Sequence, residues 1–339
     1  MDSNTDHHLP VASSLPLPEH EQIARSILRI IYRQRRLTEE HDRCLMFPCK
    51  VCLQLHIHKI VTSMEQGAPI RFILPAFPAK SPNLSKVLGS APDLGEHLSL
   101  QQLNELCLKI TAVYPPGANI IICSDGRAFS DCVGVSDEEV THYGQAIRHI
   151  LDEHRLDNIQ LFNLEDYFNS YNFERIRQQL VERYGRPLEA LKAAVKTDPE
   201  TANLFNGIHR FMFTDLKFRK PDCSKNKLKE ESKALAYQVI IRSNAWSALV
   251  EEVFPEAIRL SIHPQPPHSK KIGIKLMECD NIWRTPWHGA VLDDGQKYRL
   301  MSRADIEKLP VNLVYQNGRP FYYVLRRYAN AQPAQATED

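Results

Sequence analysis

Glycine is scarce in this chain, with 13 among 339 residues. Neither a G-x-G-x-x-G turn nor a P-loop occurs, so any phosphate must be held by side chains rather than by a glycine cradle. No charge of one sign prevails, since Lys+Arg is 42 and Asp+Glu is 41. That balance argues against a nucleic-acid binder, which carries a basic excess. No stretch reaches the roughly 18 apolar residues of a transmembrane helix. The opening MDSNTDHHLP lacks the basic start and apolar run of a secretory signal. The eight cysteines are spread thinly rather than packed into a small secreted scaffold. These absences leave a cytoplasmic protein with no membrane and no nucleic-acid partner. Its 43% hydrophobic content suffices to bury a large core.

What is present reads as alternating helices and strands. Residues 1–18 are expected to be a disordered lead-in, residues 19–328 a single domain, and residues 329–339 a flexible tail. A helix over 19–35 carries Ile23, Ile27, Ile30 and Ile31 at helical spacing. A second helix covers 50–66, and Ile70–Leu74 is a buried strand. A helix over 99–114 has Ser99 as its N-cap and Pro115-Pro116 as its stop. The run Ile120-Ile121-Ile122 forms a strand over 118–123, followed by a helix at 136–155 and a strand at 158–163. Residues 171–252 are mainly helical. Strands return at 257–263, 271–277 and 297–301, and Asn317-Gly318 closes a hairpin between 311–315 and 321–325. This order predicts an α/β fold: a Rossmann-like parallel sheet core flanked by helices, with a C-terminal β-rich portion.

Three segments carry chemistry. FPAKSPN at 77–83 follows the first strand and displays Lys80, Ser81 and Asn83 between stiffening prolines. SDGRAFSD at 124–131 follows the second strand with Asp125, Arg127, Ser130 and Asp131. Ligands of open α/β sheets bind outside the carboxyl ends of the strands, where both segments begin. In AIRLSIHP at 257–264 the side chains alternate. Ile258, Leu260 and Ile262 point one way, and Arg259, Ser261 and His263 form a polar row on the other. Lys271, Gly273 and Lys275 repeat the pattern on the next strand. WRTPWHG at 283–289 adds Trp287 and His288 to a stiff aromatic wall. Each segment also has a bland reading, as a rigid turn, a solvated sheet face or a packed histidine. Taken together they predict that cations distant in sequence, Lys80, Arg127 and Arg259 above all, converge in one cleft. Such a cleft suits an anionic, phosphorylated ligand and proton transfer.

FPAKSPN (77–83), SDGRAFSDCVGVSD (124–137), RSNAWSALVEEVFPEAIRLSIHP (242–264) and WRTPWHGAVL (283–292) together resemble the isocyanide synthase family, also called the pyoverdine/dityrosine biosynthesis family. The likeness spans roughly residues 20–325. It implies a stand-alone synthase of the fungal xanthocillin type, with no oxygenase domain attached. It also implies that the amine of an L-amino acid, tyrosine first, condenses with C2 of ribulose 5-phosphate, which becomes the isonitrile carbon. Neither a metal nor a nicotinamide is implied for that step, and no cofactor is expected. Partners are the two small substrates and downstream modifying enzymes. His263, His288 or Asp131 would take the ammonium proton. Lys80, Arg127, Arg259 and Lys271 would hold anions, and Lys275 could form a Schiff base instead. Ser81, Asn83, Asp125, Ser130, Ser261 and Trp287 would line the substrate. The alternative is a non-catalytic protein of the same fold that binds a phosphosugar or amino acid.

Apart from these segments, Cys44, Cys49 and Cys52 precede His56 and His58 with the ligand types zinc uses. Cys52 and His56 are one helical turn apart. Buried thiols and surface histidines explain the same residues.

Overall fold

The computed structural model of the protein describes residues 19–38, 44 and 47–331. The expected lead-in at 1–18 lies outside them, as do tail residues 332–339. The described residues end in a 3-10 turn over Arg326–Ala331.

Five strands make a wholly parallel sheet: β1 (Ile70–Pro75), β2 (Ala118–Cys123), β3 (Ile159–Phe162), β4 (Ile258–Ser261) and β5 (Ile272–Gly273), in the order β3-β2-β1-β4-β5. Four more, β6 (Ala290–Asp293), β7 (Tyr298–Met301), β8 (Val311–Gln316) and β9 (Arg319–Leu325), form a second sheet in the order β7-β6-β9-β8. The helices are α1 (Glu19–Tyr32), α2 (Lys50–Glu65), α3 (Leu94–Thr111), α4 (Gly126–Val133), α5 (Asp137–Glu153), α6 (Leu164–Phe168), α7 (Phe173–Tyr184), α8 (Leu188–Thr197), α9 (Pro199–Arg219), α10 (Lys225–Val253) and α11 (Arg303–Ile306). The fold is α/β.

Parallel strands need crossovers, and helices supply them on both faces. One face of the first sheet carries Phe72, Leu74, Ile120, Ile122, Ile258, Leu260 and Ile262 against α1, α2, α3 and α5. The other carries Ile73, Ile121, Cys123 and Ala257 against α4, α6, α7 and α10. Trp246 of α10 anchors this second layer. It is 1% exposed, stacks on Phe162 at 5.7 Å and donates its indole N–H to Cys123 O. Truncating a side chain so placed costs about 3–5 kcal/mol.

Two details depart from the sequence reading. The third helix starts at Leu94, not near Ser99, because Asp93 and Glu96 form a capping box ahead of it. Ser99 is buried inside that helix. The expected strand over 271–277 shrinks to Ile272–Gly273, while the unpredicted β6 forms just after His288 and pairs with β7 and β9.

The strand order sets the place of the site. From β1 the chain proceeds to β2 on one side, and β4 later docks on the other. The loops leaving β1 and β4 therefore diverge, and a crevice opens at their carboxyl ends. Among the described residues, no helix is long and apolar enough to cross a membrane.

Candidate active site

The alternation on β4 holds. Ile258, Leu260 and Ile262 enter the core, which turns Arg259, Ser261 and His263 to the opposite face. From Arg259 to His263 the row runs about 13 Å at strand rise. Lys271 joins it, because Leu260 pairs with Ile272 and the side chains on either side share that face. Gly273 stands in the next register position. A Cβ there would meet Arg36 O at 2.5 Å and His263 O at 2.8 Å, so only glycine lets the neighbouring backbone pass.

Arg259 donates through Nη2 to Ser247 Oγ of α10 at 3.2 Å, while its buried Nε and Nη1 find no acceptor among the described residues. Burial lowers its pKa, and nearby Cys123, Glu251 and Asp125 oppose that shift. Lys271 is half-buried and forms no ion pair among the described residues. Burial and the charge of Arg259 push its pKa down. Two neighbouring cations with donors to spare favour an anion between them.

Three titratable groups border this position. His263 is open to solvent yet lies deep enough in the cleft that burial, and then Arg36, lowers its pKa to about 4. His288 is brought to about 3 by burial, with Lys86 and His263 adding to the effect. It contacts Thr285 Oγ1 through Nδ1 at 3.0 Å and meets the Phe211 ring edge-on at 4.9 Å. Both histidines are neutral near pH 7. Asp125 is partly exposed as a residue, but its Oδ1 is sealed off without a partner. Burial raises that carboxyl to about 7. Gly126 lets the Asp125 turn close on the loop after β1. A Cβ at Gly126 would lie 1.9 Å from Pro78 O.

The other predicted cations are elsewhere engaged. Lys80 is fully buried between Asp93 (2.7 Å) and Glu96 (2.8 Å) and donates to Pro286 O at 3.0 Å. Burial would lower its pKa, but the two carboxylates outweigh it and hold the ammonium charged. Lys80 therefore ties the loop after β1 to α3 and to the wall at 286. Arg127 binds Asp137 (2.9 Å) and Thr141 (2.8 Å) and lies over the Phe173 ring at 3.6 Å. It joins α4 to α5 and α7, with Arg177 sharing Asp137 at 2.8 Å. Lys80 and Arg127 are thus each paired with carboxylates at a helix start, Asp93 and Glu96 of α3 and Asp137 of α5, whereas Arg259 forms no ion pair among the described residues.

Asp131 pairs with Arg242 at 2.5 Å and Arg177 at 3.8 Å, in a separate groove of about 590 Å³ between α4, α7 and α10. It does not meet His263. Lys275 pairs with Glu278 at 2.7 Å on the surface. Ser261 Oγ accepts from His263 N and Gln265 Nε2, and Ser130 Oγ is buried without a partner. Ser81 donates its N–H to Trp287 O, and Asn83 donates to Asp215 of α9 at 3.0 Å. Trp287 is 2% exposed and tilts against Phe77 at 5.2 Å.

Sequence reasoning missed Lys86, Phe211, Ser247 and Glu251. Lys86 pairs with Asp215 at 2.5 Å and lies over the Phe211 ring at 4.0 Å, beside His288. Nothing local marks these residues, since their place follows from how α9 and α10 lie over the sheet.

Residues 60–314 match the family described as pyoverdine/dityrosine biosynthesis protein. An L-tryptophan isonitrile synthase of Fischerella ambigua is 48% identical over 91% of this chain and 93% of that one. An L-tyrosine isonitrile synthase of Pseudomonas aeruginosa is 43% identical over 91% and 95%. The crystal structure of the PvcA protein from Pseudomonas aeruginosa superposes with a TM-score of 0.82 at 40% identity, covering 89% of this chain and 99% of that one. Fold, sequence and the four quoted segments agree, and the chain belongs to the pyoverdine/dityrosine biosynthesis protein family.

Proposed function

We propose that the chain is an isonitrile synthase that joins an aromatic L-amino acid to ribulose 5-phosphate. The observation that carries this reading is the under-partnered pair Arg259 and Lys271 on the same sheet face as His263. The pair would hold the sugar phosphate or the substrate carboxylate. An amine attacks a ketone only as the free base, so the ammonium proton must leave first. His263 is neutral near pH 7 and reaches solvent, so it would accept a hydrogen bond from the ammonium and pass the proton on to water. Asp125, with its carboxyl near 7, would return a proton when the carbinol loses water. His288 would act as a neutral hydrogen-bonding wall beside Phe211.

Tyrosine is the amino acid expected from the sequence, and tryptophan is the one named for the 48% identical relative. Trp283 beside His263 and Phe211 beside His288 would supply an aromatic wall for either. A xanthocillin-like secondary pathway in the cytoplasm, with a downstream modifying enzyme, completes the proposal.

The test is incubation with ribulose 5-phosphate labelled at C2 and a panel of tryptophan, tyrosine, phenylalanine and valine. Mass spectrometry should find the label in an aromatic isonitrile. Tight binding of both compounds without product would favour the non-catalytic alternative, and an unlabelled isonitrile would remove the sugar as carbon donor.

A further inference from the structure

The cysteines marked by their spacing play no part in the cleft. Cys44, Cys49 and Cys52 meet at the start of α2, and His268, from the β4–β5 crossover, completes the group. Their ligand atoms all lie within 4.8 Å of one another. His268 Nδ1 is 3.3 Å from Cys52 Sγ and 3.6 Å from Cys49 Sγ. With Zn–S about 2.3 Å and Zn–N about 2.0 Å, a tetrahedral ion has donor–donor edges of roughly 3.5–3.8 Å. The two His268 contacts fall near those edges, and no pair of the four donors is more than about 1 Å beyond them.

Charge gives an independent argument. Arg35 is 7% exposed and forms no ion pair among the described residues. It donates to Cys44 O at 2.9 Å, lies 3.7 Å from Cys52 Sγ and covers the Tyr32 ring. A buried guanidinium beside Cys52 Sγ favours that sulfur as a thiolate. Three thiolates, one neutral imidazole and a divalent cation sum to one negative charge, which Arg35 balances. One further feature fits a thiolate: Cys52 N–H points at Cys49 Sγ, which caps α2.

We propose that Cys44, Cys49, Cys52 and His268 bind a structural zinc ion. His56, expected in such a site from its spacing to Cys52, is instead buried in the core. The ion staples the β4–β5 crossover to α2. That crossover connects His263 to Lys271, so the metal positions the cleft without taking part in chemistry.

The full chain, purified without a histidine tag or chelator, should carry one zinc per molecule by elemental analysis. Cobalt(II) in its place should give thiolate-to-metal charge transfer and tetrahedral d–d bands. His268→Ala and Cys52→Ser should each loosen zinc against a competing chelator by more than about tenfold, the loss that even an outer-shell change can bring. Cys52→Ser could fail to fold; His268 is exposed, so its variant keeps the test decisive. Hydrogen exchange across 264–271 should quicken when metal is stripped. Folded wild-type chain that stays below stoichiometric zinc in excess metal overturns the proposal. So does a Cys49–Cys52 disulfide in freshly purified protein, or zinc held unchanged by both variants, which would place it elsewhere.

Discussion

The loop after β1 and the face of β4–β5 both carry cations next to the same crevice, but they treat charge in opposite ways. Lys80 has two carboxylates and a carbonyl around one ammonium. Arg259 has one hydroxyl and two idle N–H groups. A buried charge with its full set of partners is part of the scaffold. One left short of partners costs stability, and such a cost persists where a ligand completes the set. The contrast assigns architecture to the first region and binding to the second.

Replacing Lys80 should strike the scaffold hardest. Lys80→Ala leaves Asp93 and Glu96 buried without a counter-ion, and breaking such a pair costs about 3–5 kcal/mol. Denaturant unfolding should register that loss, and activity should fall only as the folded fraction falls. Arg259→Met should do the reverse. It removes a charge that lacks partners, so the unfolding midpoint should hold or rise. Activity should drop about 10²–10³-fold, as when a preorganised donor is lost. If Arg259→Met unfolds the protein while Lys80→Ala is merely inactive, the assignment of the two regions is backwards.

That division was only half legible in the sequence. The polar row Arg259, Ser261, His263 could be read because a strand's period of two is local. The parallel sheet could be read because β-branched runs alternate with helical stretches. The use made of each cation could not. Lys80 is held by residues 13 and 16 positions on, at a helix start placed several residues too late, since Ser99 was mistaken for the cap. Arg127 looked like a phosphate clamp until Asp137 folded back on it. Phe211 and Lys86 reach His288 only through the lie of α9. Three of the four clustered metal-type ligands were visible as a spacing, but His268 is 216 residues beyond Cys52. Local pattern told which residues are polar and which way they face, and tertiary packing decided which were already paired.

Asp125 sharpens the comparison through pH. Its folded carboxyl titrates near 7 because burial disfavours the charge, against 3.8 for an ordinary carboxyl. Between those values the unfolded chain has lost a proton that the folded chain keeps, so this group lowers stability as pH rises from about 4 to about 7. Asp125→Asn should remove that slope, leaving the protein more stable than wild type by up to about 4 kcal/mol at pH 8 and unchanged at pH 4. Unfolding curves across that range would show it. An equal effect of the substitution at both ends would mean that the carboxyl is ionised throughout.

The smallest effect should come from Lys275, and its smallness discriminates. Lys275 shares a strand pattern with Lys271 and was expected to be able to form a Schiff base. Its ammonium, however, is paired with Glu278 at a surface where both partners meet water. Exposed pairs are worth up to about 1 kcal/mol, so Lys275→Met should shift stability by less than that and leave kcat/KM within about twofold. Lys271→Met, four residues earlier and close to the charge of Arg259, should raise KM while leaving the unfolding midpoint near wild type, because Lys271 forms no ion pair among the described residues. Borohydride trapping of the ketose on Lys275, or a large loss on its replacement, would shift the chemistry off the β4–β5 face. The two lysines differ little in sequence setting, so their contrast measures directly what the missing partner is worth.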